Sequence, residues 1–98
     1  MPKAYELYSK IVLAQDFPEH DLQRGAMGTI IEHYPMTDQE DGYSIEGFNL
    51  PEITLEVSQS QIMPLIQWQK EQAILQKIHQ LPLEQLEALD KYLDQLTA

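Results

Sequence analysis

Imidazole is the side chain that titrates nearest neutral pH and ligates metals most readily. This 98-residue chain has three, His20, His33 and His79. No two of them share a helical or strand spacing, so no element presents a histidine pair to a metal. His20 lies among Asp16, Glu19 and Asp21 in a turn around Pro18, a grouping whose oxygens could hold a divalent cation. The competing role for His20 is to bond the turn backbone and fix the loop. Asp38, Glu40 and Asp41 precede Gly42, as acids do in a calcium loop. Such a loop needs oxygens at the first, third and fifth positions before its glycine. Those positions hold Thr37, Gln39 and Asp41, so an acidic, solvated hairpin tip is expected instead.

General acid–base chemistry needs one carboxyl in an apolar pocket to raise its pKa. Glu32 and Glu56 are the strand-centred acids, and each alternates with apolar neighbours that take the buried face. Both are expected to face solvent. The chain has no cysteine, no Gly-rich phosphate loop and no nucleophile elbow. No catalytic, cofactor or metal site is therefore assigned, and a non-enzymatic role is expected.

Lys70 and Lys77, with Trp68 close by, interleave base and aromatic as single-strand binders do. Two lysines are outweighed by a net charge of −10, the wrong sign for a phosphate backbone. Trp68 is more simply a packing residue or a contact residue. The strongest pattern is Leu86, Leu89, Leu93 and Leu96, whose 3-4-3 spacing makes one apolar seam flanked by Glu87, Asp90, Lys91 and Asp94. Two helices cannot build a sufficient core alone, so the seam needs a cover. That cover is a neighbouring element, a second copy or another protein.

The elements that would carry these residues change character near Met63-Pro64. Before that point, β-branched and aromatic runs are broken by Gly, Pro and Asp; after it there is no glycine and helix formers dominate. Residues 1–66 carry eleven acids and three bases, whereas 67–98 carry five and three. Strands are expected at Leu7–Gln15, Gly28–Tyr34, Tyr43–Phe48, Ile53–Val57 and Gln61–Met63. Gly25 and Gly28 flank the next strand and suit a positive-φ turn and a bulge or close backbone approach. Helices are expected at Leu65–Gln80 and over 83–96, with Pro82 opening the second. The fold class is mainly β plus α: a small five-stranded barrel over 1–65, then a helical hairpin over 66–98 packed on the barrel or forming a dimer interface. No apolar run is long enough for a transmembrane helix. The first residues lack the apolar core of a secretion signal, so a cytoplasmic location is expected.

The block Asp16–Tyr34 resembles a family of small bacterial proteins with an SH3-like barrel and no known function. That family carries D-x-P-x-H-x-L-x-x-G-x-x-G-T-[IV] and a closing Q-[LI]-x-P-L, here Gln61-Ile62-Met63-Pro64-Leu65. The likeness spans residues 4–65. It departs at Ala26, at Ile45-Glu46-Gly47-Phe48, and at Met63, where the family often has an acid, an unbroken strand and a base. It implies the fold and assigns Pro18, His20, Gly25 and Gly28 to a structural turn, which favours the loop-fixing role for His20. It brings no activity.

The expected function is protein–protein contact, with Trp68, Leu86, Leu89, Leu93 and Leu96 as interaction residues. An acidic accessory or neutralising protein, antitoxin- or immunity-like, would combine the seam with charge steering toward a basic partner, or the chain would pair with itself. The alternatives are a nucleic-acid-associated barrel and a small subunit of a metal-dependent enzyme. No cofactor is expected.

Overall fold

The computed structural model describes residues 4–48 and 54–98. It divides into two compact units, one reaching Trp68 and one from Gln69 to Ala98. The first holds five antiparallel strands: β1 (Lys10–Leu13), β2 (Met27–Tyr34), β3 (Gly42–Glu46), β4 (Leu55–Ser58) and β5 (Ile62–Pro64). Their order is β4-β3-β2-β1-β5. The sheet is open, with β4 and β5 as its edges, so the expected barrel is corrected to a five-stranded antiparallel sheet. Two helices follow, α1 (Leu65–Ile78) and α2 (Leu83–Thr97). The expected mixture of sheet and helical hairpin stands.

Alternation builds the core. In β4, Leu55 and Val57 are buried while Glu56 is exposed, and Ile30, Tyr43 and Ile45 lie fully inside beside Ile11 and Leu13. β2 cannot keep a strict alternation, because Ile30 pairs with Ile45 but Glu32 pairs with Ser44, leaving Ile31 as an extra residue. That bulge shifts the phase of the strand. After it, His33 lies opposite Tyr43 and stacks on it at 4.9 Å, while Glu32 is turned out to solvent.

The strand limits differ from the sequence expectation where the backbone turns. β1 starts at Lys10, not Leu7, because Tyr8 takes φ 66°, a left-handed turn that no strand continues through. β3 stops at Glu46 because Gly47 sits at φ 103°. Ile53, expected to open the fourth strand, lies outside the described residues. β5 ends at Pro64, which has no N–H to extend the ladder.

The Tyr43 hydroxyl accepts from the Tyr5 backbone N–H at 3.0 Å and donates to Gln59 Oε1 at 3.3 Å. It therefore ties the entering chain and the turn before β5 to the middle of the sheet. Tyr43→Phe leaves the Tyr5 N–H and Gln59 without that partner and is expected to cost roughly 1–2 kcal/mol. Urea unfolding of the variant beside the parent measures it, and equal midpoints would mean that water takes over both bonds.

Candidate interaction surface

The block Asp16–Tyr34 turns out to be architecture. Pro18–His20 forms one 3-10 turn, closed on both sides by backbone bonds between Phe17 and Leu22 at 2.9 and 3.1 Å. Asp16 Oδ1 accepts the Arg24 N–H at 2.8 Å, and Leu22 packs on the core. His20 contributes its backbone N–H, which donates to the Phe17 carbonyl at 3.1 Å. Among the described residues its imidazole has no hydrogen-bond partner, so the backbone, not the ring, is what His20 gives the turn.

Gly25 and Gly28 serve different needs. Gly25 sits at φ 95° with its α-carbon under Trp68, so close that a Cβ would lie 2.8 Å from the indole. Arg24 covers the same ring, its guanidinium carbon 4.7 Å from the centroid, a cation–π contact. Trp68 thus packs within the first unit. Gly28 has ordinary backbone angles and is required for space instead, since a Cβ there would meet Ile45, Phe48 and the Glu46 carbonyl. The closing Gln61 is also local: its side chain accepts the Ser58 N–H at 2.9 Å in a capping box around the 3-10 turn 59–61.

The acidic tip between β2 and β3 is likewise occupied by the chain's own donors. Asp41 Oδ1 accepts the Met36 N–H at 2.9 Å, and its Oδ2 pairs with His33 Nε2 at 2.8 Å. Glu40 takes the Ser60 N–H at 2.7 Å and the Ser60 hydroxyl at 2.9 Å. The tip therefore staples the hairpin to the turn before β5. A groove of about 660 Å³ lies beside it, lined in part by Tyr5, Met36, Gln59 and Met63, but its carboxylates are already satisfied. No cluster of three or more metal-ligating side chains occurs among the described residues.

The Met36 N–H, and after it the His33 imidazole, hold the Asp41 carboxyl below its ordinary value of 3.8. A carboxyl depressed in the folded state stabilises the fold above its unfolded value, and the contribution is lost as pH falls through the folded one. Asp41→Ala is expected to lower the denaturation midpoint at neutral pH, with the gap to the parent closing as pH drops below 3.8. A gap independent of pH would assign the loss to packing alone.

The second unit is different, because neither α1 nor α2 buries a side chain completely. Pro82 caps α2 from an extended conformation, and its carbonyl receives Gln85 and Leu86 N–H groups at 3.0 Å. Glu84 sits in the first turn, favoured by the helix dipole. Leu86 and Leu89 are partly buried, whereas Leu93 is 46% and Leu96 63% exposed. Tyr92 was not singled out in the sequence because it interrupts the 3-4-3 spacing, yet at 56% exposure it widens the same face. On α1, Ile66 is 78% exposed. Glu71 Oε2 is the one buried side-chain oxygen without a hydrogen-bond partner among the described residues. The sequence-selected leucines therefore share one helix, and Trp68 belongs to the other unit.

The sequence profile of a family described as a domain of unknown function (DUF4926) matches residues 7–64, more than half of the chain. No curated protein and no solved structure matches significantly. Among the described residues, no helix is long and apolar enough to cross a membrane.

Proposed function

We propose that this chain, which belongs to the family described as a domain of unknown function (DUF4926), works by protein–protein contact and not by catalysis. The observation that carries the reading is the half-exposed leucine face of α2, where Leu93 and Leu96 stay open to solvent beside a flank of carboxylates. Apolar area supplies the affinity in such contacts, and the flanking charge steers encounter and excludes wrong partners. The family match ends at residue 64, before both helices, so its shared residues cover the sheet, and in this reading the helical unit supplies the contact. The net charge of −10 fits a cytoplasmic acidic accessory or neutralising protein, antitoxin- or immunity-like, that approaches a basic surface.

Affinity capture with the tagged full-length chain tests this. The chain is expected to retain a defined protein that is lost when Leu93 is replaced by aspartate, and to show no retention of a random oligonucleotide at low salt. Oligonucleotide binding that survives Leu93→Asp would replace protein contact with nucleic-acid association as the function.

A further inference from the structure

We infer that the edge of β4 and the groove beside it take an extended segment of another protein, with an arginine of that segment laid over Gly42 toward Glu56 and Glu32. This surface lies on the first unit and goes beyond the contact read on α2. β4 is an edge strand, with β3 on one side and no described strand on the other. Its free backbone groups can extend the sheet by one strand, the way sheets commonly take peptides. The register says what an added strand would meet. Glu32, Ser44 and Glu56 stand opposite one another on β2, β3 and β4, so the row runs out at the edge beside Glu56. Residues opposite each other across a ladder hold their Cβ atoms about 5 Å apart, where unlike charges attract. Glu56 takes no hydrogen bond or ion pair from any described residue, and the ion pair these residues form is His33–Asp41. Residues 1–66 hold eleven acids against three bases, which draws a basic segment to this unit.

The groove selects the kind of base. It measures about 490 Å³ and is lined in part by Tyr34, Met36, Gly42, Glu56 and Ser58. Gly42 lies between Tyr34 on β2 and Ser58 on β4, so bare backbone forms the floor. The Tyr34 ring is fixed in place. Its hydroxyl donates to Glu32 Oε2 at 2.7 Å and accepts from the buried Ser44 Oγ at 2.9 Å. Both carboxylates act on that hydroxyl. The Ser44 bond lowers its pKa, but the Glu32 bond, desolvation and the charges of Glu32 and Glu56 outweigh it and hold the phenol above its ordinary 10.0. An aromatic face, a thioether and two carboxylates therefore meet over a glycine floor. Arginine matches each of them. Its methylene stem covers the floor and the Met36 side chain, and its planar guanidinium both stacks on a ring and forks onto a carboxylate. A bare metal ion is a poorer fit, because no three metal-ligating side chains converge among the described residues.

The test is an NMR titration of the full chain with a capped five-residue peptide, alternating threonine and valine around one central arginine. Saturable shifts are expected at Tyr34, Gly42 and the β4 amides. The same peptide with citrulline for arginine keeps the shape and loses the charge, and it should bind about tenfold more weakly or worse. Glu56→Gln should weaken the arginine peptide to a similar degree. Gly42→Ala, which puts a methyl on the groove floor, should weaken it too. Both variants should keep the parent's unfolding midpoint, since Glu56 is exposed and a Cβ at Gly42 would meet nothing closer than 3.7 Å. Absence of saturable shifts overturns the inference, as does equal binding of the citrulline peptide. A loss with Glu56→Gln but none with Gly42→Ala would mean attraction at a distance, with the groove empty. Shifts confined to α2 would move the peptide to the other unit. β4 shifts that follow the chain's own concentration, with no peptide present, would make a second copy the occupant of the edge. None of these results bears on capture through Leu93, so either reading can fail alone.

Discussion

Gly28→Val is expected to lower the stability of the sheet by about 3 kcal/mol, the upper part of the range for overpacking a closed core. A Cβ at this position would lie 2.5 Å from Ile45 Cγ2, 2.7 Å from Phe48 Cζ and 2.9 Å from the Glu46 carbonyl oxygen. The first two atoms can shift only within a core where Ile45 is fully buried and Phe48 nearly so. The third belongs to backbone held in register, since Glu46 pairs with Thr29, the residue after Gly28. Gly28 also faces Ile11 across the other ladder, so β2 cannot move aside without opening β1. Valine otherwise suits a strand, which makes the loss a steric one. Gly42→Ala is the control, because its Cβ would meet nothing closer than 3.7 Å. Denaturant midpoints followed by Trp68 emission should fall sharply for Gly28→Val and little for Gly42→Ala. If Gly28→Ala combined with Phe48→Leu recovers much of the Gly28→Ala loss, the contact with Phe48 is the cause. Equal midpoints for all variants would mean that the sheet relaxes around the added carbon.

What could be read from the residues, and what could not, divides by the range of the interactions. Ile53–Val57 alternates so strictly that Leu55 and Val57 were placed inside and Glu56 outside before any neighbour was known. That Gly25 and Gly28 answer a need for glycine was also legible, but which of them takes the positive φ and which the close approach was not, since that depends on Trp68, Ile45 and Phe48 from elsewhere in the chain. The bulge at Ile31 was not legible. It depends on which residue of β3 lies opposite, and a single strand carries no record of its register. For the same reason the roles of Glu40 and Asp41 were read as solvated, whereas Ser60 and His33 come back across the sheet to use them. Closure of the sheet failed as an expectation for a related cause. Five short strands fit an open sheet as well as a barrel, and strand count does not decide between them. The helix that carries the seam was legible, since its 3-4-3 spacing is local to α2. Its cover was not, because that is a property of whatever meets it.

Leu89→Asp combined with Leu93→Asp carries the other large effect, on association. Each substitution puts a carboxylate in the middle of the apolar face, next to Asp90 and Asp94. In water this costs little, since Leu93 is already 46% exposed. Within an interface it buries an unpaired charge among apolar groups and adds to like charges nearby, a penalty of several kcal/mol or roughly a hundredfold or more in affinity. The two environments therefore predict opposite balances between stability and binding. Helix ellipticity separates them, because it reports α1 and α2, whereas Trp68 is packed on Gly25 and Arg24 in the first unit and reports the sheet.

The most direct test of a contact face on α2 is one paired measurement on the doubly substituted full-length chain: capture of its protein partner beside the unfolding midpoint detected by helix ellipticity at low concentration. Capture is expected to disappear while the midpoint stays with that of the parent. Undiminished capture would contradict the account, and so would a midpoint that falls with it, since the leucines would then be holding the fold together.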